Sequence, residues 1–477
     1  MKYLALSIGG IYKTLENTTN IYEMWEASYF FSYLTKRIIQ KLLNKNINTK
    51  DFIIPYLSKI NLEEKKGIGF FPNKIIFKSN TIDKQELRKI INELLKEIEN
   101  KSNKALSYEF LKNYLQFYII EIEKEYKNPI VEINKYLESG KLFYQAQLFS
   151  ENLLLKYISS RKNFEKIKEK FLVKEAFEKI EDVKHLSLPK IALNITSGNI
   201  ENEVEVIKKI IEIKKDKIKL YNRYITKVEI KVERSKEILE EIGKDDFKLK
   251  EFFKCLFEFS LEAISLIKNF GGEVIYAGGE KVLFFAPLRK EKENIFELCN
   301  KINNSFISLV DNNLNSILEK KKATLFFGIN INYYTFYPYE VKENVNSLFS
   351  RKIKKESKTH IGYRVVNQNG QVLEDVFCIN KSFKELLNLL KIDNSIDLTF
   401  LEFLVREIGR HRGLLNNIKN DHNKIREFYK NNFKNVDKKE EKIFLRNLEK
   451  FTIEAFKEKK EVDSLFNALR VKNCLGV

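Results

Sequence analysis

The 477-residue sequence predicts an α+β protein with two ferredoxin-like βαββαβ units, a helical insert between them and a C-terminal helical domain. First, the order strand, helix, strand, strand occurs twice along the chain. Second, Leu and Ile recur at helical spacing between these units and after them. Third, 43% of the residues are hydrophobic and 13% aromatic, which is typical of an ordered core. We place the four regions at 1–82, 83–184, 185–380 and 381–477.

The first unit begins with a predicted strand at Tyr3–Ile8, which two glycines close. An amphipathic helix follows at about 22–44, and its aromatic residues are too dense for a free surface, so we expect them in the core. FIIPYL from Phe52 and NKIIFKS from Asn73 predict two further strands.

The insert and the C-terminal domain show the periodicity of helices. ELRKIINELLKEIE and EFLKNYLQFYIIEIEKEY, the latter at 109–126, place Leu and Ile three and four residues apart among many Glu–Lys neighbours. We expect helices through 83–181, partly completing the first unit, and helices again from Ser382 to the end.

The second unit repeats the same order of elements. PKIALNIT at 189–196 predicts its first strand, and helices are expected from 201 to 270, with a charged interruption at 227–236. ATLFFGININYY at 323–334 predicts its last strand, after a helix at 295–318.

Two hairpins are predicted in this unit. In GGEVIYAGGEKVLFFAP, the apolar runs VIYA and VLFFAP flank Gly278, Gly279, Glu280 and Lys281, and glycine accepts the positive φ of a tight turn. HIGYRVVN and QVLEDVFC form the second, turned by Asn369-Gly370.

The charge of the chain points to a polyanionic partner. Lys and Arg number 85 against 66 Asp and Glu, a net charge of +19, and clustered cations gain affinity by releasing phosphate counterions. The basic clusters at 208–227 and 351–358 are the candidates for contact with RNA, and solvated helix faces are the alternative.

Other features exclude some classes of protein. The four cysteines include no CxxC pair, which excludes a Cys-based zinc site of usual spacing and suits a reducing cytoplasm. The apolar run at the N-terminus is too short for a signal peptide, and no stretch is long enough to span a bilayer. We expect a soluble cytoplasmic protein without a membrane partner.

Four stretches carry a resemblance to a known family: ALSIGGIYKTLENTTNIYEMWEASYFFSYL from Ala5, FPNKIIF at 71–77, IYAGGEKVLFFAP at 275–287, and ATLFFGININYY at 323–334. In the first, Ile8-Gly9 is later followed by Trp25, Ala27 and Ser28, as in the family's opening strand and helix. With these motifs in this order, the sequence resembles the large subunit of type III CRISPR effector complexes, whose two units are palm domains.

The resemblance implies a palm with two metal ions, but the residues depart from it. In the family, carboxylates from the first palm strand and from a Gly-Gly-Asp-Asp hairpin hold Mg²⁺, which orients ATP for synthesis of cyclic oligoadenylate. Here Glu280 and Lys281 replace the two hairpin aspartates, and Ser197-Gly198-Asn199 aligns with an Asp-Gly-Asp. A lysine replaces the charge of a metal but not its Lewis acidity, so we expect a catalytically inactive palm that needs no metal or cofactor.

Three alternatives remain for the hairpin. In the first, the hairpin is an ordinary exposed turn with solvated Glu and Lys side chains. In the second, Asp246 or Glu273 supplies a relocated metal ligand, and the palm still makes oligoadenylate. In the third, Lys281 and the backbone of Gly278 and Gly279 hold a nucleotide without metal or chemistry.

Two nuclease activities are weighed as well. The family often carries a metal-dependent HD nuclease, but none of the four histidines precedes an Asp and no residues stand ahead of the first unit, so we expect none here. Arg406 and His411 fit the Arg-x4-His spacing of HEPN ribonucleases, although a solvated or RNA-facing basic helix gives the same pattern.

The resemblance also implies partners. The chain would hold the end of a complex that carries the guide RNA 5′ tag and would meet the 3′ flank of the target RNA. Its protein neighbours would be the subunit that binds the 5′ tag and a small helical subunit.

Overall fold

The computed structural model describes residues 2–18, 21–63, 68–102, 104–122, 128–142, 221, 224–314, 322–333, 358–367, 370–392 and 396–476. The strand predicted at 189–196, the positions Ser197, Gly198 and Asn199, and most of both basic clusters lie outside these residues. Among the helices that can be described, none combines the length and the apolar character needed to cross a membrane.

The first sheet has four strands in the order β2-β3-β1-β4. The strands are β1 (Lys2–Ile8), β2 (Phe52–Ile54), β3 (Lys74–Ser79) and β4 (Phe117–Ile122). The central strand β1 pairs antiparallel with β3 and β4, and β2 lies on the outer side of β3. This arrangement confirms the predicted βαββαβ unit.

Helix α2 supplies much of the core of this unit. It buries Ala27, Phe31, Leu34 and Ile38 almost completely, as its dense apolar pattern predicts, whereas Trp25 is only partly buried. The helices of the first unit and of the residues that follow it are α1 (Ile11–Glu16), α2 (Ile21–Leu43), α3 (Lys59–Glu63), α4 (Lys84–Lys101), α5 (Tyr108–Leu115) and α6 (Pro129–Leu142).

The structure corrects the prediction of a continuous helix through 109–126. Helix α5 ends at Leu115 because Gln116 adopts a left-handed conformation with φ of 46°, and β4 follows. The residues Phe-Tyr-Ile-Ile-Glu-Ile of β4 are aromatic and β-branched, which suits a strand beside β1 better than a helix. The first sheet therefore takes its fourth strand from beyond the boundary predicted at residue 82.

The second sheet has six strands in the order β12-β11-β10-β5-β7-β6. Strand β5 pairs antiparallel with β7 and β10, so it holds the same place as β1 in the first sheet. The predicted hairpin of β11 and β12 is confirmed and extends the sheet beyond β10. The strands of the second unit are β5 (Tyr224–Glu233), β6 (Glu273–Gly278), β7 (Lys281–Pro287), β10 (Thr324–Tyr333), β11 (His360–Val366) and β12 (Val372–Cys378), with a ribbon of β8 (Arg289–Lys290) and β9 (Glu293–Asn294).

The position of β5 corrects two predictions. The charged interruption expected between helices at 227–236 is largely a strand, and this strand takes the place predicted for 189–196 beside the glycine hairpin. Its sequence alternates, so that Val228, Ile230 and Val232 are buried while the intervening Lys and Glu residues lie on the opposite face. Two-residue alternation was the signal that the helical interpretation missed.

The helices of the second unit begin at well-defined caps. The Asp245 side chain accepts hydrogen bonds from the first backbone N–H groups of α8, and Asn294 forms a capping box with Glu297 at the start of α9. The helices are α7 (Ser235–Ile242), α8 (Asp246–Phe270) and α9 (Ile295–Asn313). Residues 315–318 of the helix predicted at 295–318 lie outside the described residues.

The C-terminal region is helical, as predicted. It is held against the second sheet by Lys460, whose Nζ lies 2.8 Å from Oδ1 of the buried Asp375. Arg289 adds a second link, because its Nη1 donates to the carbonyl of Leu475 at 3.0 Å. The helices are α10 (Lys381–Leu390), α11 (Leu398–Arg410), α12 (Arg412–Ile418), α13 (His422–Asn432), α14 (Lys439–Lys457) and α15 (Asp463–Cys474).

Candidate functional site

The hairpin between β6 and β7 is a two-residue turn in which each glycine has a separate role. Gly278 pairs with Lys281, so Gly279 and Glu280 form the turn, and Gly279 has φ of 59°. A Cβ atom on Gly278 would lie 2.4 Å from the backbone oxygen of Phe70. Gly278 is therefore needed for close approach of the first unit, and Gly279 for the turn itself.

The first unit covers this hairpin with the segment 69–72. The amide of Ala277 donates to the carbonyl of Gly69 at 3.1 Å, and Gly69 forms a parallel bridge with Tyr276. Helix α2 holds the segment in place, because Ser32 Oγ accepts from the Phe71 amide at 3.0 Å and Thr35 Oγ1 donates to the Pro72 carbonyl at 3.0 Å. The hairpin tip thus lies at the contact between the two units.

Glu280 at the tip is held by the end of β5. Its carbonyl accepts a hydrogen bond from the Val232 amide at 2.8 Å, and its side chain accepts one from Ser235, the first residue of α7. Burial raises the pKa of the Glu280 carboxyl, and this effect outweighs the hydrogen bond and the charges of Lys74 and Lys281, which lower it. Lys74 lies on β3, within the stretch that the sequence singled out at 71–77.

Glu233 at the end of β5 is a second carboxylate of this site. Burial raises its pKa, Lys231 opposes that rise, and the negative charge of Glu280 adds to it. Glu233 is not among the site residues predicted from the sequence, because its charged stretch at 227–236 suggests an interruption between helices rather than a strand beside the hairpin. The alternation of β5 would have revealed its position at the strand end.

Lysines surround these two carboxylates. Lys231 and Lys281 stand opposite each other on β5 and β7, and Lys231 Nζ also lies 3.3 Å from Glu229 Oε1. Lys227 lies four residues before Lys231, opposite Phe285 at the far end of the hairpin, where its burial lowers its pKa. Lysine and glutamate therefore alternate along the polar face of β5 beside the hairpin.

The described residues around the hairpin tip do not fit a two-metal centre. Across the described ranges, no group of three or more His, Cys, Asp or Glu side chains could hold a metal ion. Mg²⁺ prefers ionised carboxylate oxygens, whereas both Glu233 and Glu280 have raised pKa values and have lysines as neighbours.

The structure does not bring Asp246 or Glu273 to the tip as relocated ligands. Asp246 begins α8, forms an ion pair with Lys78 of the first unit, and accepts from Tyr3 Oη at 3.5 Å. Glu273 begins β6 opposite Phe285, at the far end of the hairpin from Glu280.

Arg406 and His411 have different neighbours. Arg406 is exposed on α11 and its Nε lies 4.0 Å from Glu407 Oε1, while His411 follows the end of the helix and packs edge-on against Phe428. The contacts described for these two residues therefore do not bring Arg406 and His411 together.

Comparisons with known proteins agree with this architecture. The family model for the "Cas10/Cmr2, second palm domain" matches residues 230–362, from β5 through the hairpin to β11. The model for "CRISPR-associated protein Cmr2, N-terminal" matches residues 3–107. No curated protein matches the sequence.

Several solved structures share the fold. The apo type III-B Cmr-beta structure is 9% identical with a TM-score of 0.53, covering 97% of this chain and 77% of that chain. A Csm1–Csm4 cassette in complex with cA4 is 11% identical with a TM-score of 0.54, covering 99% and 69%. Cmr-beta bound to cognate target RNA is 9% identical with a TM-score of 0.50, covering 96% and 78%. Identities this low show the fold alone.

Proposed function

Because the chain belongs to the Cas10/Cmr2 family of large subunits of type III CRISPR effector complexes, we propose that it is a catalytically inactive member. In an RNA-guided complex it holds the end with the guide RNA 5′ tag and senses target RNA. Other proteins then supply cleavage or signalling.

The observation that carries this proposal is the charge balance at the hairpin tip. Glu233 and Glu280 are accompanied by Lys74, Lys231 and Lys281, and the Glu280 side chain is already hydrogen-bonded to Ser235. The charges of these lysines favour the ionised carboxylates, but burial outweighs them and raises both pKa values. The lysines place positive charge near the carboxylates but lack the Lewis acidity that phosphoryl transfer requires.

The similar structures and the charge of the chain support the proposed partners. One of those structures is of Cmr-beta bound to cognate target RNA, and another is of Csm1 with Csm4. A net charge of +19 favours contact with guide and target RNA. The protein partners that we propose are the subunit that binds the 5′ tag and a small helical subunit.

The test is an assay on the reconstituted complex with its guide RNA, ATP and either Mg²⁺ or Mn²⁺. We expect binding of cognate target RNA without formation of oligoadenylate, while a Csm1-containing complex with an intact Gly-Gly-Asp-Asp hairpin gives product. Product that is lost in Glu280→Ala and retained in Glu440→Ala, a change at an exposed residue of α14, would instead establish a residual cyclase.

A second candidate function is nucleotide binding without metal. The same three lysines and the backbone of Gly278 and Gly279 offer cationic and N–H groups to a triphosphate. ATP with EDTA would then raise the Tm of the full chain, and Lys281→Glu would abolish the rise. Lys450→Glu, at an exposed position of the C-terminal domain, is the control. An ATP effect that requires Mg²⁺ and Glu280 would favour the cyclase.

A further inference from the structure

Cys378 and His360 form a close pair on the second sheet, away from the hairpin tip. The Sγ atom of Cys378 lies 3.1 Å from Nε2 of His360, and the two residues are directly opposite on β12 and β11. The Ile379 amide donates to the Thr359 carbonyl at 2.9 Å, which makes this a non-hydrogen-bonded position of the antiparallel ladder. Side chains approach most closely at such positions, so the backbone itself brings the imidazole to the sulfur.

Cys378 differs from the other three cysteines of the chain. Cys255, Cys299 and Cys474 are buried, whereas Cys378 is partly exposed. Burial raises the pKa of Cys255 to about 12 and that of Cys474 to about 11, and it also raises the pKa of Cys299. Those three thiols are held in the unreactive protonated form, because only the thiolate is nucleophilic.

The charged residues on the strands of the pair and on the strands beside them are largely paired with one another. On β10, Phe326 separates His360 from Lys231 of β5 in the same row across the sheet, and Arg364 forms an ion pair with Glu374 at 3.1 Å. Asp375 forms an ion pair with Lys460. Lys358 precedes β11 and Lys381 begins α10. The group in contact with the sulfur is thus the His360 imidazole, and a protonated imidazole at this distance stabilises a thiolate.

We propose that Cys378 and His360 form a thiolate–imidazolium pair that is a modification site for small soft electrophiles, with hydrogen peroxide as the oxidant. The sulfur attacks one peroxide oxygen, the O–O bond breaks, and the departing hydroxide takes the proton of the His360 imidazolium. The sulfur is oxidised to sulfenic acid, and the second peroxide oxygen leaves as water.

The first test uses the full chain and limiting iodoacetamide at about pH 7, with labelling of each cysteine measured by peptide mass spectrometry. An unperturbed thiol is only a few per cent ionised at this pH, so we expect native Cys378 to react about tenfold faster than the same residue in urea. The three buried cysteines should react more slowly in the native chain than in urea. A native Cys378 rate equal to or below its rate in urea overturns the proposal.

Variants assign the effect to His360. We expect His360→Asn to lower the Cys378 rate about tenfold, and His360→Lys, which keeps a cation beside the sulfur, to retain most of it. His411→Asn, a change at the histidine that follows α11, is the matched control and should leave the rate unchanged. Unchanged labelling in a folded His360→Asn variant overturns the proposal. Rapid labelling of the three buried cysteines would show that a variant is unfolded. In that case the comparison of the Cys378 rate in the native wild-type chain with its rate in urea tests the proposal.

Oxidation by hydrogen peroxide provides a second test, in which the sulfenic acid formed at Cys378 is measured. Dimedone added after about stoichiometric hydrogen peroxide should trap sulfenic acid at Cys378 in the wild-type chain and much less in His360→Asn. Equal trapping in both chains contradicts the role assigned to His360.

Discussion

Strand β1 of the first sheet and strand β5 of the second occupy the same place in the four-stranded arrangement that the two sheets share, yet they differ in character. Strand β1 is Lys-Tyr-Leu-Ala-Leu-Ser-Ile, and every residue after the first is buried. Strand β5 is Tyr-Ile-Thr-Lys-Val-Glu-Ile-Lys-Val-Glu and places its Lys and Glu residues on one face. A strand that is buried on both faces only supports the fold, whereas an alternating strand leaves one face for a polar site. The candidate site therefore lies on the second unit.

The two units also differ in the length of the connection between equivalent strands. In the second unit, Gly279 and Glu280 alone join β6 to β7, while residues 55–73 join the equivalent strands β2 and β3 of the first unit. The long connection contains the segment 69–72, which covers the short one. The first unit thus supports the polar hairpin of the second unit.

The largest expected effect tests the apolar character of β1. Leu4 is fully buried, so Leu4→Ala should lower the free energy of unfolding by about 2–5 kcal/mol through lost burial and a new cavity. Glu233→Ala, on the polar face of β5, should change it by less than about 1 kcal/mol. Urea unfolding of both variants measures the difference, and equal losses would contradict the contrast between the strands.

The contact between the two units is tested at Gly278. The added methyl group of Gly278→Ala would collide with the backbone of Phe70, so we expect a loss of about 1–3 kcal/mol in the free energy of unfolding. The control is Gly413→Ala on α12, where a Cβ meets nothing within 4 Å and a neutral or slightly stabilising effect is expected. If Gly278→Ala behaves like the control, the hairpin is not covered by the first unit.

A smaller, pH-dependent effect tests the electrostatics of the tip. Because burial raises the folded-state pKa of Glu280, the stability that it contributes is present below its unfolded-state pKa and is lost as pH rises through the folded-state value. Glu280→Gln has no such loss, so its stability relative to the wild type should increase as pH rises from about 4 towards alkaline values.

Urea unfolding across that pH range measures the change, with Glu440→Gln at an exposed position as control. If the relative stability of Glu280→Gln falls as pH rises, the ionised carboxylate is stabilised by cations, as in a metal site.

The sequence predicts most of the fold but only part of the site. Glycine-bounded apolar runs identify β1, β3 and the hairpin of β6 and β7 because those signals are local. Strands β4 and β5 were missed because Ile and Lys–Glu spacing in short segments suits a helix as well as a strand. Which interpretation holds depends on pairing with β1 or β7, distant partners that local patterns do not reveal.

The site shows the same division between local and distant information. Glu280 and Lys281 were identified from the hairpin alone, whereas Glu233, Ser235 and Lys74 join them through strand pairing and packing of the two units. The roles proposed for Ser197 and Asn199 stay predictions, because those residues lie outside the described part of the chain.

The most direct test of the central claim is the affinity of the hairpin tip for a divalent cation. Mn²⁺ can be titrated into the full chain and into Glu280→Ala, with ATP present, and bound metal can be followed by electron paramagnetic resonance. We predict the same weak, non-stoichiometric binding in both chains. One equivalent of Mn²⁺ that binds the wild type and is lost in Glu280→Ala would contradict the account.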